Sequence, residues 1–199
     1  MRFRIFSLWA GRILPAGLLL AGCVGDQAPP GWESAILKER AAKDEYMRGG
    51  DSPLAAKDIP GFKGIDHFPP DPDWRFVVPP DRSGAGERVQ LLDTAGQPRH
   101  YRIHSRARIT ISGQGVVLTV YESSPGDLFL PFQDTTNGGD TYGAGRYLAA
   151  ELDREGLLVV DFNRAYNPYC AYDDRWVCPL VPVENRLSLA VTAGEKSYH

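Results

Sequence analysis

Short apolar stretches that alternate with polar residues and are separated by glycine-rich turns occupy most of the chain after residue 88. In one clear case, residues 108–112 alternate with a period of two, and Gly113-Gln114-Gly115 separates them from the apolar run 116–121, which predicts a hairpin. The pattern predicts about eight strands, at residues 89–92, 101–103, 108–112, 116–121, 128–132, 147–152, 157–162 and 187–191. We therefore expect a mainly β fold, an antiparallel sandwich or small barrel within residues 81–199. Helices and strands do not alternate, which excludes a doubly wound nucleotide-binding fold.

An amphipathic helix is predicted over residues 32–50, with Ser34 as its N-cap and Gly49-Gly50 as its end. One face collects the apolar residues Trp32, Ala35, Ile36, Ala42, Tyr46 and Met47. The charged residues Lys38, Arg40, Lys43 and Asp44 lie mostly away from that face. The apolar face is expected to pack on the main domain, and binding to a partner is the alternative.

A proline-rich segment, residues 51–80, follows the helix. Proline prevents long regular structure, so we expect most of this segment to wrap the surface in an extended conformation. Residues 74–78 within it alternate enough to form a short strand.

The first 22 residues have the features of a secretory signal: arginines at positions 2, 4 and 12, then a short apolar run from Ile13 to Ala21. The run ends in Leu20-Ala21-Gly22-Cys23, which resembles the lipobox of bacterial lipoproteins. That resemblance implies diacylglycerol on the Cys23 sulfur, cleavage before Cys23, and a tether over residues 23–31. The alternatives are an ordinary signal peptide with a chance cysteine, and an uncleaved anchor. Val24 is not an acidic retention signal, which favours the outer membrane, facing the periplasm, in a host with two membranes.

The charge of the chain excludes some partners. The net charge is -3, and removal of three signal-peptide arginines leaves 19 basic against 25 acidic residues. An acidic protein lacks the basic surface that nucleic acids require. For the same reason, the lipid on Cys23 and not a basic patch is expected to hold the protein at the membrane.

Two cysteines remain for other roles. In an oxidising compartment, Cys170 and Cys178 are expected to form a disulfide. Metal ligation is the alternative, but the four histidines, at positions 67, 100, 104 and 199, show no ligand spacing relative to these cysteines. No metal or other cofactor is expected.

Three polar blocks stand out between residues 134 and 196. They run from Asp134 to Tyr147, from Asp161 to Tyr172, and from Cys178-Pro179 through Glu184-Asn185-Arg186-Leu187 to Ala193-Gly194-Glu195. The blocks resemble a bacterial and archaeal family known as domain of unknown function 1684, over most of residues 129–196. Asp140 departs from the pattern, since the family more often has Glu there. The resemblance implies an envelope or secreted domain, and it brings no agreed activity.

Four chemistries are open to these blocks. A hydrolase acting on an envelope saccharide or ester would use two carboxylates as acid and base; the candidates are Asp134, Asp140, Asp161 and Glu184. A binding module would orient a small polar or anionic ligand, with candidate residues Arg146, Asn163, Tyr166, Asn167 and Asn185. A calcium loop at residues 134–140 is a third, weaker option. In the fourth, the polar residues only order loops, with Arg146 paired to Asp161, and the domain is a scaffold that binds an envelope protein. A non-catalytic scaffold or binding module is the favoured interpretation.

Overall fold

The computed structural model describes residues 28–199. The predicted signal peptide, Cys23 and the first part of the tether lie outside the described residues. Within them, no helix is both long enough and apolar enough to cross a bilayer.

Seven antiparallel strands form one sheet in the order β1-β7-β6-β5-β4-β3-β2. Their bounds are Arg75–Val78 (β1), Arg88–Leu92 (β2), Pro98–Ile111 (β3), Gln114–Glu122 (β4), Leu128–Phe132 (β5), Arg146–Leu152 (β6) and Leu158–Asp161 (β7). The prediction of a mainly β, antiparallel fold is confirmed. The sheet does not close into a barrel, because its edge strands β1 and β2 do not pair with each other within residues 28–199. The segment after β1 contacts β3 through an isolated bridge between Asp81 and Arg106 and through side-chain bonds.

The hairpin predicted between β3 and β4 is present, and its turn is one residue earlier than expected. Ser112 and Gly113 both have positive φ, 49° and 80°. This is the backbone of a type I′ turn, whose twist matches that of the two flanking strands.

A bulge divides β3 into two halves. The pairing with β4 shifts between Ile103 and Ser105, which leaves His104 as the extra residue. Beyond the bulge, Ala107 and Ile109 face the main apolar core, whereas Ile103 packs with Leu91 and Tyr121 in a smaller cluster. One strand therefore contributes to two clusters on opposite faces of the sheet.

The main core lies against β3 to β7 and includes Phe132, Leu148 and Phe162. A further cluster, around Met47, Leu54, Ile65 and Tyr172, joins the helix and the proline-rich segment to the 168–174 loop. Every member of the three clusters follows residue 31.

The helix, α1, spans Trp32–Met47. Its N-cap is Gly31 and not the predicted Ser34, whose hydroxyl instead donates to the Gly31 carbonyl at 3.0 Å. The buried apolar residues are Trp32, Ile36 and Met47, while Ala42 and Tyr46 of the predicted face are exposed.

The helix is rotated about its axis relative to the prediction. Arg40, Lys43 and Asp44, predicted to face solvent, are partly buried against the domain. The physical reason is that the surface under the helix is itself polar: Lys43 reaches Glu195, and Asp44 accepts the Ile65 amide at 2.9 Å. Pairing of charges, more than apolar area, sets the orientation of this helix.

The proline-rich segment supplies β1 and is extended only in part, since it also contains turns and two 3-10 helices, Ile59–Gly61 and Pro72–Trp74. The strand predicted at residues 187–191 does not form. This segment is held instead by separate hydrogen bonds along residues 133–135, among them Leu187 N–H to the Gln133 carbonyl and Thr135 N–H to the Leu189 carbonyl. Leu187 and Val191 are buried nevertheless and Leu189 is half-buried, which explains why alternation alone indicated a strand.

Candidate functional site

Arg146 and Asp134 form the centre of a buried polar network. Both side chains are 0% exposed, and Arg146 Nη2 donates to Asp134 Oδ2 at 2.9 Å. Arg146 also donates to the carbonyls of Val191, Ala193 and Glu195. Burial lowers the pKa of Arg146, and the adjacent Asp134 charge opposes that effect. The partner of Arg146 is therefore Asp134 and not the expected Asp161, and its side chain has no surface left for a ligand.

The other oxygen of Asp134 is equally occupied. Asp134 Oδ1 accepts the Thr136 amide and hydroxyl and the Val191 amide. A carboxylate with this many partners cannot also act as a catalytic base or coordinate calcium without dismantling its surroundings. Asp140, the other carboxylate of the proposed calcium loop, is exposed. Among residues 28–199, no group of three or more His, Cys, Asp or Glu side chains is placed to hold a metal ion.

Asp161 and Asn163 join three segments of the chain. Asp161 Oδ2 accepts the Trp32 indole N–H at 2.7 Å and an Arg164 N–H at 3.1 Å, and Oδ1 accepts two bonds from Asn163. The Asn163 amide exchanges two hydrogen bonds with the backbone of Asp71. The pair thus attaches α1 and the proline-rich segment to the end of β7.

Asn185 and Asn167 also bind backbone. Asn185 accepts the Thr119 amide and donates to the carbonyls of Thr119 and Pro131, each at 2.8 Å. Asn167 donates its side-chain amide to the Lys196 carbonyl. Glu184 is exposed and accepts a hydrogen bond from the Tyr121 hydroxyl at 2.7 Å. Burial is the main cause that raises the pKa of Tyr121, and the hydrogen bond to Glu184 is the second. Most of the predicted site residues are therefore tied to the fold itself.

Two glycines of the polar blocks are required by close packing. Gly145 has a φ of +99°, and a Cβ there would come within 2.6 Å of the Phe132 carbonyl. Gly194, with a φ of +78°, would bring a Cβ equally close to the Ala165 carbonyl. Each glycine lets the chain approach closely enough for the neighbouring Arg146 or Glu195 to reach its partners.

A small cavity lies where α1 meets the polar blocks, and we call it the seam cavity. Its volume is about 160 Å³. It is lined by Ile36, Glu39, Arg40, Lys43, His67, Asn163, Arg164, Ala165, Tyr166 and Glu195. The blocks thus contribute to a cavity at this seam, although most of their polar side chains are used elsewhere.

Glu195 is the anionic centre of the seam cavity and is only 2% exposed. Oε1 pairs with Lys43 Nζ at 2.5 Å, and Oε2 accepts the Asn167 amide at 2.8 Å and the Tyr172 hydroxyl at 3.0 Å. Lys43 Nζ also lies 5.1 Å from the centre of the Tyr166 ring. Burial raises the pKa of Tyr166 to about 12, so its hydroxyl remains neutral.

His67 presents one ring nitrogen to Glu195. Its Nδ1 lies 2.8 Å from the Ile65 carbonyl, an acceptor, which assigns the proton of the neutral ring to Nδ1. Nε2 then has a free lone pair, 4.0 Å from Glu195 Oε1. Burial, with the charge of Arg40, lowers the pKa of His67. The ring is therefore neutral at neutral pH.

Arg40 differs from the other cations of the cavity because no carboxylate neutralises it directly. Arg164 pairs with Glu39 through two bonds of 2.8 and 3.0 Å, and Lys43 pairs with Glu195. Arg40 donates only to two carbonyls, of Phe68 and Asn163. Among the described residues its buried Nε has no hydrogen-bond partner. Burial lowers the pKa of Arg40, and the nearby charges of Glu195 and Asp161 oppose that effect without contacting the guanidinium directly.

The two remaining cysteines are free thiols in close contact. The Cys170 amide donates to Cys178 Sγ at 3.2 Å. The hydrogen bond between the two thiol side chains is the main cause that lowers the pKa of Cys178 to about 7, and the same bond raises the pKa of Cys170. The predicted disulfide is thus absent from the structure, and it stays a prediction for the protein in an oxidising compartment.

Eight of the ten residues that line the seam cavity were not among the predicted site residues, and the four on which the site depends are Arg40, Lys43, His67 and Glu195. Glu195 stands in the Ala-Gly-Glu block, which was a usable signal. Arg40 and Lys43 were assigned to the solvent face of the helix, and nothing near His67 in the sequence indicates a site. Of the predicted residues, Asn163 and Tyr166 line this cavity.

Comparisons with known proteins agree with this architecture. A family model described as "Protein of unknown function (DUF1684)" matches residues 60–196. The solution NMR structure of an uncharacterized protein from Haloarcula marismortui is 32% identical, with a TM-score of 0.66. The alignment covers 84% of this chain and 96% of that one. A search of curated proteins found no match. Because the family model covers more than half of the sequence, the chain belongs to the DUF1684 family.

Proposed function

We propose that this chain is a lipid-anchored, non-catalytic binding protein of the cell envelope, whose seam cavity holds a small anion. The observation that carries the proposal is Arg40, a partly buried guanidinium that has two carbonyls and no carboxylate as partners. A carboxylate or phosphate oxygen in the cavity would supply the missing counter-charge.

The size and charge of the cavity support a ligand of this kind. Three cations and two anions line it, so it has one positive charge in excess. Its volume of about 160 Å³ is similar to that of an engineered protein cavity of roughly 150 Å³ that binds benzene. The expected ligand therefore has about six non-hydrogen atoms, as a small carboxylate does.

A non-catalytic role is supported by the occupancy of the carboxylates. Asp134, Asp161 and Glu195 are saturated with hydrogen bonds. A hydrolase acting on an envelope saccharide or ester remains the alternative, and it would have to rely on the exposed Asp140 and Glu184.

The test uses acetate and inorganic phosphate as probes, in calorimetric titrations of the lipid-free chain 24–199. Arg40→Gln removes the charge, and since hydrogen bonds to charged groups contribute about 1.5–3 kcal/mol, affinity should fall about tenfold or more. Lys38→Gln, an exposed change on the same helix, is the matched control and should bind as the wild type does.

His67→Asn provides a second variant in case Arg40→Gln loosens the helix. The shorter amide can still donate to the Ile65 carbonyl, but it removes the ring nitrogen that faces Glu195. Wild-type protein that binds neither probe at millimolar concentration, or an Arg40→Gln protein that binds both equally well, would refute the proposed site.

The anchor has its own test. Cys23→Ser should move the protein from the membrane fraction to the soluble fraction and abolish incorporation of labelled fatty acid. A variant that is still labelled and still sediments with membranes would contradict lipid attachment at Cys23.

A further inference from the structure

One face of the ribbon formed by β2 and β3 consists of exposed side chains. The register pairs Arg88 with Arg102, Gln90 with His100, and Leu92 with Pro98. Residues directly opposite each other on neighbouring strands share a face, as do residues two apart on one strand. All six of these residues are exposed. We call this surface the ribbon face.

Positive charge is concentrated around this ribbon in an otherwise acidic protein. Residues 81–111 contain six arginines, no lysine and three acidic residues, which gives +3, whereas the whole chain carries -3. The net negative charge of the whole chain was the reason for expecting no docking through a basic patch. That total hides an excess of positive charge in this segment. The distribution of charge, more than the total, determines what a surface attracts.

Arg88 and Arg102 stand directly opposite each other, an arrangement that is unfavourable for like charges. Within residues 28–199, the Arg88 side chain makes no hydrogen bond or ion pair, and the Arg102 side chain donates only to the Gly86 carbonyl, at 3.4 Å. On the opposite edge of β3, Glu122 of β4 stands next to Arg102 in the strand register. The Glu122 carboxylate accepts the Gly126 amide at 3.0 Å. Both arginines line a cavity of about 340 Å³. An anionic oxygen between them would relieve their repulsion.

The other end of the ribbon face is apolar. Leu92 is 54% exposed and Leu180 is 40% exposed. Asp93 and Pro179 form an antiparallel bridge, which places Leu180 opposite Leu92, and the Leu180 amide donates to the Leu92 carbonyl at 2.7 Å. The two leucines therefore extend the same face. Exposed apolar side chains beside arginines are typical of protein surfaces that lie on membranes.

We infer that the ribbon face docks on the surface of an anionic bilayer. Arg88 and Arg102 bind headgroup phosphates, and Leu92 and Leu180 enter the boundary between headgroups and acyl chains. A soluble polyanion would engage the arginines but would leave the leucines in water, which is why a bilayer is the better partner. Docking in this way depends on neither the lipid on Cys23 nor the seam cavity.

The experiment uses the lipid-free chain 24–199, which contains the three apolar clusters found among the described residues. Sedimentation with vesicles of phosphatidylcholine mixed with phosphatidylglycerol should show binding that weakens as salt rises, and neutral vesicles should bind far less. Each arginine near an anionic surface strengthens binding about fivefold. The double variant Arg88→Gln/Arg102→Gln should therefore bind about 30-fold more weakly.

The matched control is Lys38→Gln/Arg154→Gln, which removes the same charge from exposed positions elsewhere. It should bind almost as the wild type does. Leu92→Ser should also weaken binding, and this change leaves the charge intact. The inference is overturned if the control pair loses as much binding as the ribbon pair, or if neutral vesicles bind equally well. It is also overturned if the protein binds a soluble polyanion such as heparin but not charged vesicles.

Discussion

Two arginines of this molecule, Arg146 within the polar blocks and Arg40 on the helix that contacts them, show opposite electrostatics. Arg146 is 0% exposed, is neutralised by Asp134 and donates to three carbonyls. Its Nε, like that of Arg40, has no hydrogen-bond partner among the described residues, so the direct carboxylate partner is what separates the two arginines. Arg40 is partly exposed, lies at the seam with the helix, and contacts carbonyls alone. A buried cation that is neutralised by a carboxylate of the same domain has a structural role. A partly buried cation with no carboxylate in direct contact can still bind an anionic ligand. The comparison locates the candidate site at the edge of the polar blocks and not at their centre.

The largest expected effect comes from Arg146→Met. The change leaves the Asp134 carboxylate and three carbonyls buried without their partner, so we expect a loss of about 3–5 kcal/mol in the free energy of unfolding. Denaturant titration measures it, with Arg154→Met as an exposed control that should cost little. A loss below about 1 kcal/mol would contradict the structural role assigned to Arg146.

Asn185→Ala should be the next most damaging change. It removes three hydrogen bonds and leaves backbone groups of Thr119 and Pro131 buried and unsatisfied. We expect a loss of about 1–3 kcal/mol in the same titration. The neighbouring exposed residue provides the control, since Glu184→Ala gives up one contact and should cost less. Equal losses in the two variants would place Asn185 outside the structural network.

Arg40→Gln should separate stability from binding. Because two bonds to carbonyls are lost at a partly exposed position, we expect a cost of about 1 kcal/mol or less. Thermal midpoints with and without acetate measure both quantities, and the stabilisation by acetate that we expect for the wild type should be absent from the variant. If Arg40→Gln destabilised the fold as much as Arg146→Met, the distinction between the two arginines would fail.

The smallest expected effect is a dependence on pH from His67. Burial lowers the pKa of folded His67 below the ordinary value of 6.5, so the unfolded chain binds the proton more readily. The stability that neutral His67 contributes is complete above pH 6.5 and is lost as the pH falls towards the folded pKa. Arg40 opposes protonation, as does Lys43, whereas Glu195 favours it.

Thermal midpoints from about pH 7.5 down to about pH 5 test this sign. The wild type should lose more stability over that interval than His67→Asn, which cannot titrate. A wild type that becomes more stable than the variant on acidification would reverse the assignment and make the contact with Glu195 dominant.

The predictions from sequence succeeded where burial repeats regularly along the chain. Alternation placed the stretches that became β2 to β7, because strands with one buried face must place apolar residues at every second position. It failed at residues 187–191, where burial alternates without a partner strand. It also failed for the face of α1. Apolar periodicity predicts an apolar surface beneath the helix, whereas the actual surface presents the carboxylate of Glu195 to Lys43.

The site was harder to predict than the fold. The unusual density of polar residues in the blocks was visible, as was the possibility that they form a structural network. The sequence did not show that Arg146 pairs with Asp134, 12 residues before it, and not with Asp161, 15 residues after it. Both spacings permit a pair, and only the path of the chain at Gly145 selects one.

By itself, the sequence determined the mainly β class, the existence of the helix and the family, because periodicity, turn residues and motifs are local properties. Tertiary structure alone decided which charges are neutralised. It brought Arg40, Lys43, His67 and Glu195, which lie up to 155 positions apart, around one cavity, and it aligned Arg88 with Arg102 on one face. Electrostatic energy depends on distance and burial, and neither of these can be read from the order of the residues.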